Sequence, residues 1–81
     1  MMTAFLETMD CMAVGARGLV RSLGEETAMT QRLRDLGLVE GTTVRCVLKS
    51  PAGSPAAYEI RGAWIALRRG DARRVTVEAL R

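Results

Sequence analysis

Histidine is missing from all 81 residues, and cysteine occurs only twice, as Cys11 and Cys46, with no C-x-x-C spacing. A structural zinc site takes about four Cys or His ligands, so this chain is poorly supplied for one. The two thiols read as reduced, partly buried side chains. Without histidine, acid–base and nucleophilic catalysis lose their commonest participant. The aromatics are three, Phe5, Tyr58 and Trp64, too few for the stacking platforms of a single-strand nucleic-acid binder. No apolar run approaches the length that crosses a bilayer. The opening MMTAFLETMD carries Glu7 and Asp10 and lacks a basic start, unlike a secretory signal. A cytoplasmic location is the expectation, with no membrane insertion.

What the chain does have is enough apolar content, 48%, beside 26% charged residues, for one small folded domain over 1–81. A chain this short has little stability to spare, so most apolar residues should be committed to packing. Net charge is +3, and eleven of the twelve bases are arginine, interleaved with nine acids. A nucleic-acid binder normally carries a denser basic stripe.

Residues Thr3 to Met12 have weak helical character, with Thr3 and Asp10 as N-caps and Met12 turned inward. Gly15 breaks the pattern. Ala16 to Leu23 alternates as a strand, with Gly18 on the face of Val20, which implies tight curvature or a close neighbour at Gly18. Ala28 to Leu36 is the most helical stretch. Met29, Leu33 and Leu36 form its apolar stripe, Thr27 or Thr30 caps it, and Gly37 ends it. Val39-Glu40-Gly41-Thr42 is a turn. Thr43 to Lys49 alternates, with Val44, Cys46 and Leu48 on one face and Arg45, Val47 and Lys49 on the other. The Ser50–Pro55 segment, with both prolines of the chain, is a loop. Strands follow at Tyr58–Arg61, Ala63–Arg68 and Val75–Glu78. A turn or single helical turn spans 69–74, with Asp71 as its cap.

The segment 58–68 reads as a hairpin. A two-residue type II′ loop at Gly62-Ala63 pairs Ile60 with Ile65 and Tyr58 with Leu67. Tyr58, Ile60, Ile65 and Leu67 then face inward, and Glu59, Arg61, Trp64, Ala66 and Arg68 face outward. An outward Trp64 beside Arg61 is either covered by a neighbouring loop or the N-terminal segment, or is a candidate contact patch. The PAGSP loop does not match the phosphate-binding pattern G-x-x-x-x-G-K-S/T, and no helix follows it. Arg68-Arg69 with Arg73-Arg74 reads as a solvated face before it reads as an anion site. Asp35 and Glu40 are close in sequence, but no nucleophile accompanies them.

Taken in order, RLRDLGLVEGTTV (32–44), SPAGSPAAYEIRG (50–62) and IALRRGDARRVTV (65–77) resemble the FeoA family of bacterial ferrous iron uptake. The same module forms the C-terminal SH3-like domain of DtxR-type repressors. The resemblance spans roughly Met9 to Val77. The family's usual Leu-x-x-Leu-x-x-Gly entry to the first strand is represented by Met9, Met12 and Gly15. Residues 1–8 lie outside the pattern, as an N-terminal extension of helical character. The resemblance implies a mainly β fold: an SH3-like small β-barrel of about five strands, with a short α-helix inserted after the first strand. It implies a role in transition-metal transport as partner and regulator of the membrane transporter FeoB, engaging its cytoplasmic part. It implies no catalytic residues, no cofactor and no metal ligands.

The expected activity is therefore binding, not catalysis. The candidate contact residues are Trp64, Arg61, Val47 and Val39, placed outward by pattern, with Leu38 and Met29 lining an edge at the helix–barrel junction. An uncovered edge strand or a Met-rich N-terminal helix would allow a homo-oligomer. The alternative is an SH3-like regulatory or nucleic-acid-binding small barrel unrelated to transport.

Overall fold

In the computed structural model, which describes residues 5–80, six antiparallel strands share one sheet. They are β1 (Leu6–Thr8), β2 (Arg17–Ser22), β3 (Thr43–Lys49), β4 (Ala56–Ile60), β5 (Ala63–Leu67) and β6 (Thr76–Leu80). Helix α1 (Ala28–Asp35) lies between β2 and β3, and the short α2 (Arg69–Ala72) between β5 and β6. The sheet order is β1-β6-β2-β3-β4-β5. The ladder is open, with β1 and β5 at its edges. The mainly β reading holds, with one strand more than the five expected.

The additional strand lies where helical character was expected. Leu6–Thr8 pairs with β6 through Leu6–Glu78, Glu7–Val77 and Thr8–Thr76, and only Met9–Cys11 turns, as one 3-10 turn. Thr3, the expected cap, lies outside the described residues. Local helix propensity in so short a segment is weak, and a free sheet edge overrides it. Met9 and Met12 are fully buried, and the Met9 amide donates to the Val75 carbonyl at 2.9 Å.

Helix α1 is capped by Thr27, whose hydroxyl accepts from the Thr30 amide at 3.2 Å. Its end is a Schellman motif: Leu38 N–H donates to Leu33 O at 3.0 Å and Gly37 N–H to Arg34 O at 2.9 Å. The inward face is Thr30 and Leu33, with Met29 partly buried. Leu36, expected in the stripe, is 45% exposed because it is already the C-cap and the chain turns there. Leu38 takes its place in the core.

Strand β3 begins as expected, with Val44 and Cys46 inward. A bulge then interrupts it: Cys46 pairs with Tyr58, but Leu48 pairs with Ala57. One extra residue reverses the alternation beyond it, so Leu48 faces out, 58% exposed, and the expected inward Leu48 is corrected. The hairpin also departs in detail. Ile60 pairs with Ala63, Tyr58 with Ile65 and Ala56 with Leu67, so the loop is Arg61-Gly62. Both residues have positive φ, 53° and 84°, as a type I′ turn requires. The register differs from the expected one by two residues, an even number. Tyr58, Ile60, Ile65 and Leu67 therefore still share the inner face. Asp71 sits inside α2, and its N-cap is Arg68.

The core gathers Met9, Met12, Val20, Leu23, Leu33, Leu38, Val44, Cys46, Tyr58, Ile60, Val75 and Val77. Tyr58 is its largest member, and its hydroxyl donates to the Met9 carbonyl at 3.2 Å, which joins the hairpin to the N-terminal turn. Burial, helped by the nearby Cys46, Asp10 and Cys11, pushes the phenol up to about 12. At Gly18 the expected close neighbour is Val77: a Cβ there would lie 2.9 Å from its Cβ.

Two outcomes follow. Gly18→Ala should lose about 1–3 kcal/mol of stability in urea unfolding, because Val77 cannot retreat without disturbing β6. The single tyrosine should ionise near pH 12 in the folded protein, read by ultraviolet absorbance, against about 10 unfolded. The folded state holds this proton more tightly. Stability should therefore be unaffected by Tyr58 below about pH 10 and fall as pH rises from there through the folded value.

Candidate interaction surface

The outer face of β3, β4 and β5 is built by strand alternation around the bulge. Two cross-strand rows lie on it. Arg45 stands opposite Glu59, and Glu59 opposite Trp64; Leu48 stands opposite Ala57, and Ala57 opposite Ala66. Arg45 and Glu59 form an ion pair at 3.0 Å. Trp64 is 61% exposed. In the second row the two alanines are too small to fill the face. They leave a slot of about 370 Å³, closed at one end by Leu48, Pro51 and Pro55. The proline loop thus forms one wall of an almost wholly apolar depression. Beside it runs a more polar groove of about 340 Å³, lined by Arg17, Arg45, Glu59 and Arg61.

Of the residues expected to make contacts, Trp64 lies on this face and Arg61 at its rim, in the I′ turn, beside the Arg-lined groove. Trp64 stands across from Glu59, with Arg61 three residues away in the loop. Val47 is the bulged residue and is half-buried, and Val39 is half-buried in the turn before β3. Leu38 is fully buried, so its place is the core and not an edge of a surface. Met29 packs against the core with Ala28 and Arg32 around a separate depression on α1. The structure therefore places Trp64 on the outer face and Arg61 in the adjoining turn, and leaves Val39, Leu38 and Met29 elsewhere. Leu48, Ala57, Pro51 and Pro55 were missed. Ala66 was already readable as outward. Leu48 was not, because nothing in the alternation of 43–49 marks the bulge.

Several charged residues have specific neighbours. Arg34 donates to Glu40 at 2.8 Å and to Glu26 at 2.7 Å. The Arg34 hydrogen bond, with one from its own backbone, holds the Glu40 carboxyl below the usual range, and the two acids raise the Arg34 guanidinium in turn. Asp35 accepts from Gln31 at 3.1 Å, so Asp35 and Glu40 are not a pair. Of the four clustered arginines, Arg68, Arg69 and Arg73 are exposed, as a solvated face implies. Arg69 donates to the Ala52 carbonyl at 3.1 Å and Arg74 to the Thr27 hydroxyl at 2.7 Å. Among the described residues no three of His, Cys, Asp and Glu gather as a metal site, and no helix is long and apolar enough to cross a membrane.

A six-stranded antiparallel sheet, one capped helix in the β2–β3 connection and a helical turn before the last strand make this an SH3-like domain. The FeoA domain model matches residues 8–79, and the chain belongs to the FeoA family. Its fold superposes on FeoA of Stenotrophomonas maltophilia with a TM-score of 0.77 at 34% identity, over 86% of this chain and 87% of that one. That protein was solved in complex with zinc and described as a procaryotic SH3 domain protein proposed to act as a bacterial ferrous iron transport activating factor. FeoA of Chlorobium tepidum matches with a TM-score of 0.84 at 32% identity, over 91% of this chain and 70% of that one. A manganese-dependent transcriptional repressor shares the fold alone. Its TM-score is 0.85 at 16% identity, over 98% of this chain and 44% of the repressor. Comparison with curated protein sequences gave no match.

Trp64 supplies the check on this surface. It is the only tryptophan, so the native protein should emit as a solvent-exposed indole and be readily quenched by acrylamide. Trp64→Ala should change unfolding stability by no more than about 0.5 kcal/mol, as expected of a surface side chain.

Proposed function

We propose that this chain is a cytoplasmic accessory protein of bacterial ferrous iron uptake. It binds the cytoplasmic part of the membrane transporter FeoB and regulates it, using the outer face of β3–β5. Family membership supports the pathway. The observation that carries the site is the exposed Leu48 at the alanine-floored slot, with the exposed Trp64 two positions before Ala66 on the same face of β5. Large apolar side chains on a sheet face, beside a shaped depression and rimmed by charge, are the anatomy of a docking surface. Aromatic anchors of this kind tend to dominate binding energy.

The reading is a binding module, not an enzyme, and ferrous iron is the transporter's cargo in it. The arginine excess supports a protein partner over nucleic acid. Arg21, Arg34 and Arg45 are paired with Glu78, Glu26 and Glu40, and Glu59. Arg69 and Arg74 are turned to a loop carbonyl and a helix cap.

Co-purification of the chain with the cytoplasmic part of FeoB tests the reading. The wild-type chain should be retained, and Trp64→Ala and Leu48→Glu should each weaken retention about ten-fold or more, as loss of an anchor does. Retention unchanged in both variants would remove this face as the site, and no retention of the wild type would remove the partner.

A further inference from the structure

The strand β5 carries the sequence Ala-Trp-Ile-Ala-Leu and ends the sheet. Edge strands are ordinarily blunted by an inward charge, a proline, a bulge or a cover. Here there is no charge and no proline, the β4–β5 register is unbroken over five pairs, and no described strand pairs with its far side. Ala63, Trp64 and Ala66 are exposed and Ile65 is only half-buried. The pair Ile60–Ala63 closes a two-residue loop, which makes it a hydrogen-bonded pair. By alternation, Ala63, Ile65 and Leu67 direct their amides and carbonyls to β4. Trp64 and Ala66 direct theirs off the sheet. The same two residues stand on the outer face, and Ala66 floors the apolar slot.

We infer that β5 receives an added β-strand: an extended segment of a partner protein with apolar residues at alternate positions and acidic residues at its ends. The backbone of Trp64 and Ala66 pairs with it. A large apolar side chain next to Ala66 then lies across the slot floored by Ala66 and Ala57 toward Leu48. This is strand addition, in which main-chain bonds give affinity and pockets for alternate side chains give specificity. The inference deepens the functional reading above by naming the partner's chemistry.

Charge selects the occupant. Arg61 precedes β5 and Arg68 follows it, both exposed, and neither has an ion-pair partner among the described residues. The acid on the neighbouring strand, Glu59, is already held by Arg45. The ends of the strand are therefore positive and call for carboxylates. A second copy of this chain is the competing occupant, and the same charges oppose it. Two-fold antiparallel pairing centred on Ile65 sets Trp64 against Ala66, and it brings the exposed Arg68 of each copy alongside the Arg61-Gly62 turn of the other. Like charges brought together in this way repel.

The test uses nuclear magnetic resonance and amide exchange on the whole chain with three probes. These are the cytoplasmic part of FeoB, a seven-residue alternating Glu-Val peptide and its Lys-Val counterpart. The Glu-Val peptide should shift and protect the Trp64 and Ala66 amides, and bind at least about ten-fold more tightly than the Lys-Val peptide. Ala66→Pro removes an outward N–H without touching the β4 ladder. It should leave the unfolding transition in place and weaken binding about ten-fold, the worth of one edge hydrogen bond and its geometry. Arg61→Glu with Arg68→Glu should reverse the peptide preference. Protection elsewhere than Trp64 and Ala66, equal binding of both peptides, binding of neither, or a concentration-dependent dimer protecting the same two amides would each overturn the inference. Should FeoB bind wild type and Ala66→Pro equally, the edge proposal fails and the functional reading stands. Should FeoB not bind while the Glu-Val peptide protects the edge, the functional reading fails and the edge proposal stands.

Discussion

The row Cys46–Tyr58–Ile65 holds the molecule together. These three residues lie directly across β3, β4 and β5 on the inner face. Tyr58 extends from the middle of that row to the Met9 carbonyl. The phenol fills the centre of the core while its one polar atom satisfies a buried backbone oxygen of the N-terminal turn. That single hydrogen bond relates the hairpin to a segment 49 residues away. Met9 in turn bonds Val75, so the beginning of the chain, the hairpin and the entry to β6 meet at one point. The desolvation that raises the Tyr58 pKa has the same cause as its packing: water is excluded there.

The outer face of β3–β5 is shaped by what happens one residue beyond that row. The β3 bulge places Val47 without a cross-strand partner and turns Leu48 outward. Without it, Leu48 would be a core residue and the slot would lose its wall. The bulge costs some ladder regularity and supplies an exposed leucine beside two alanines and two prolines. The sheet order then leaves β5 uncovered, so an apolar slot and an open hydrogen-bonding edge share Ala66. Stability and exposure are divided by strand parity: the even positions of β4, Ala56, Tyr58 and Ile60, bury, while Ala57 and Glu59 form the surface.

Much of this was legible from residue type and spacing. The helix from Ala28, its Thr27 cap, the Gly37 stop, the strand 43–49, the proline loop and the inward set of the hairpin all follow from local rules. The inward set survived an error in the hairpin loop because the register moved by two residues, and side-chain direction repeats every two. Leu36 and Leu38 show the limit of helical periodicity. The pattern assigned the core to Leu36, but the Schellman turn reversed the chain and delivered Leu38 instead. Of the proposed surface, Trp64 and Arg61 are readable as outward from the strand pattern, whereas Val39 and Val47, outward on the same ground, are half-buried, and Leu38, expected at the helix–barrel junction, lies in the core.

The sequence by itself determined the class of domain, the inner faces of its strands and the family to which it belongs. It did so because alternation, caps and turn residues act over a few positions and leave marks in the residues concerned. Tertiary structure alone decided that residues 6–8 become a strand, that β3 bulges after Cys46, and that β5 is left at an edge. Each of these depends on a partner distant in the chain: β6 for the first strand, β4 for the bulge, and the absence of a described seventh strand for the edge. A backbone hydrogen bond carries no record of its partner in the side chain beside it.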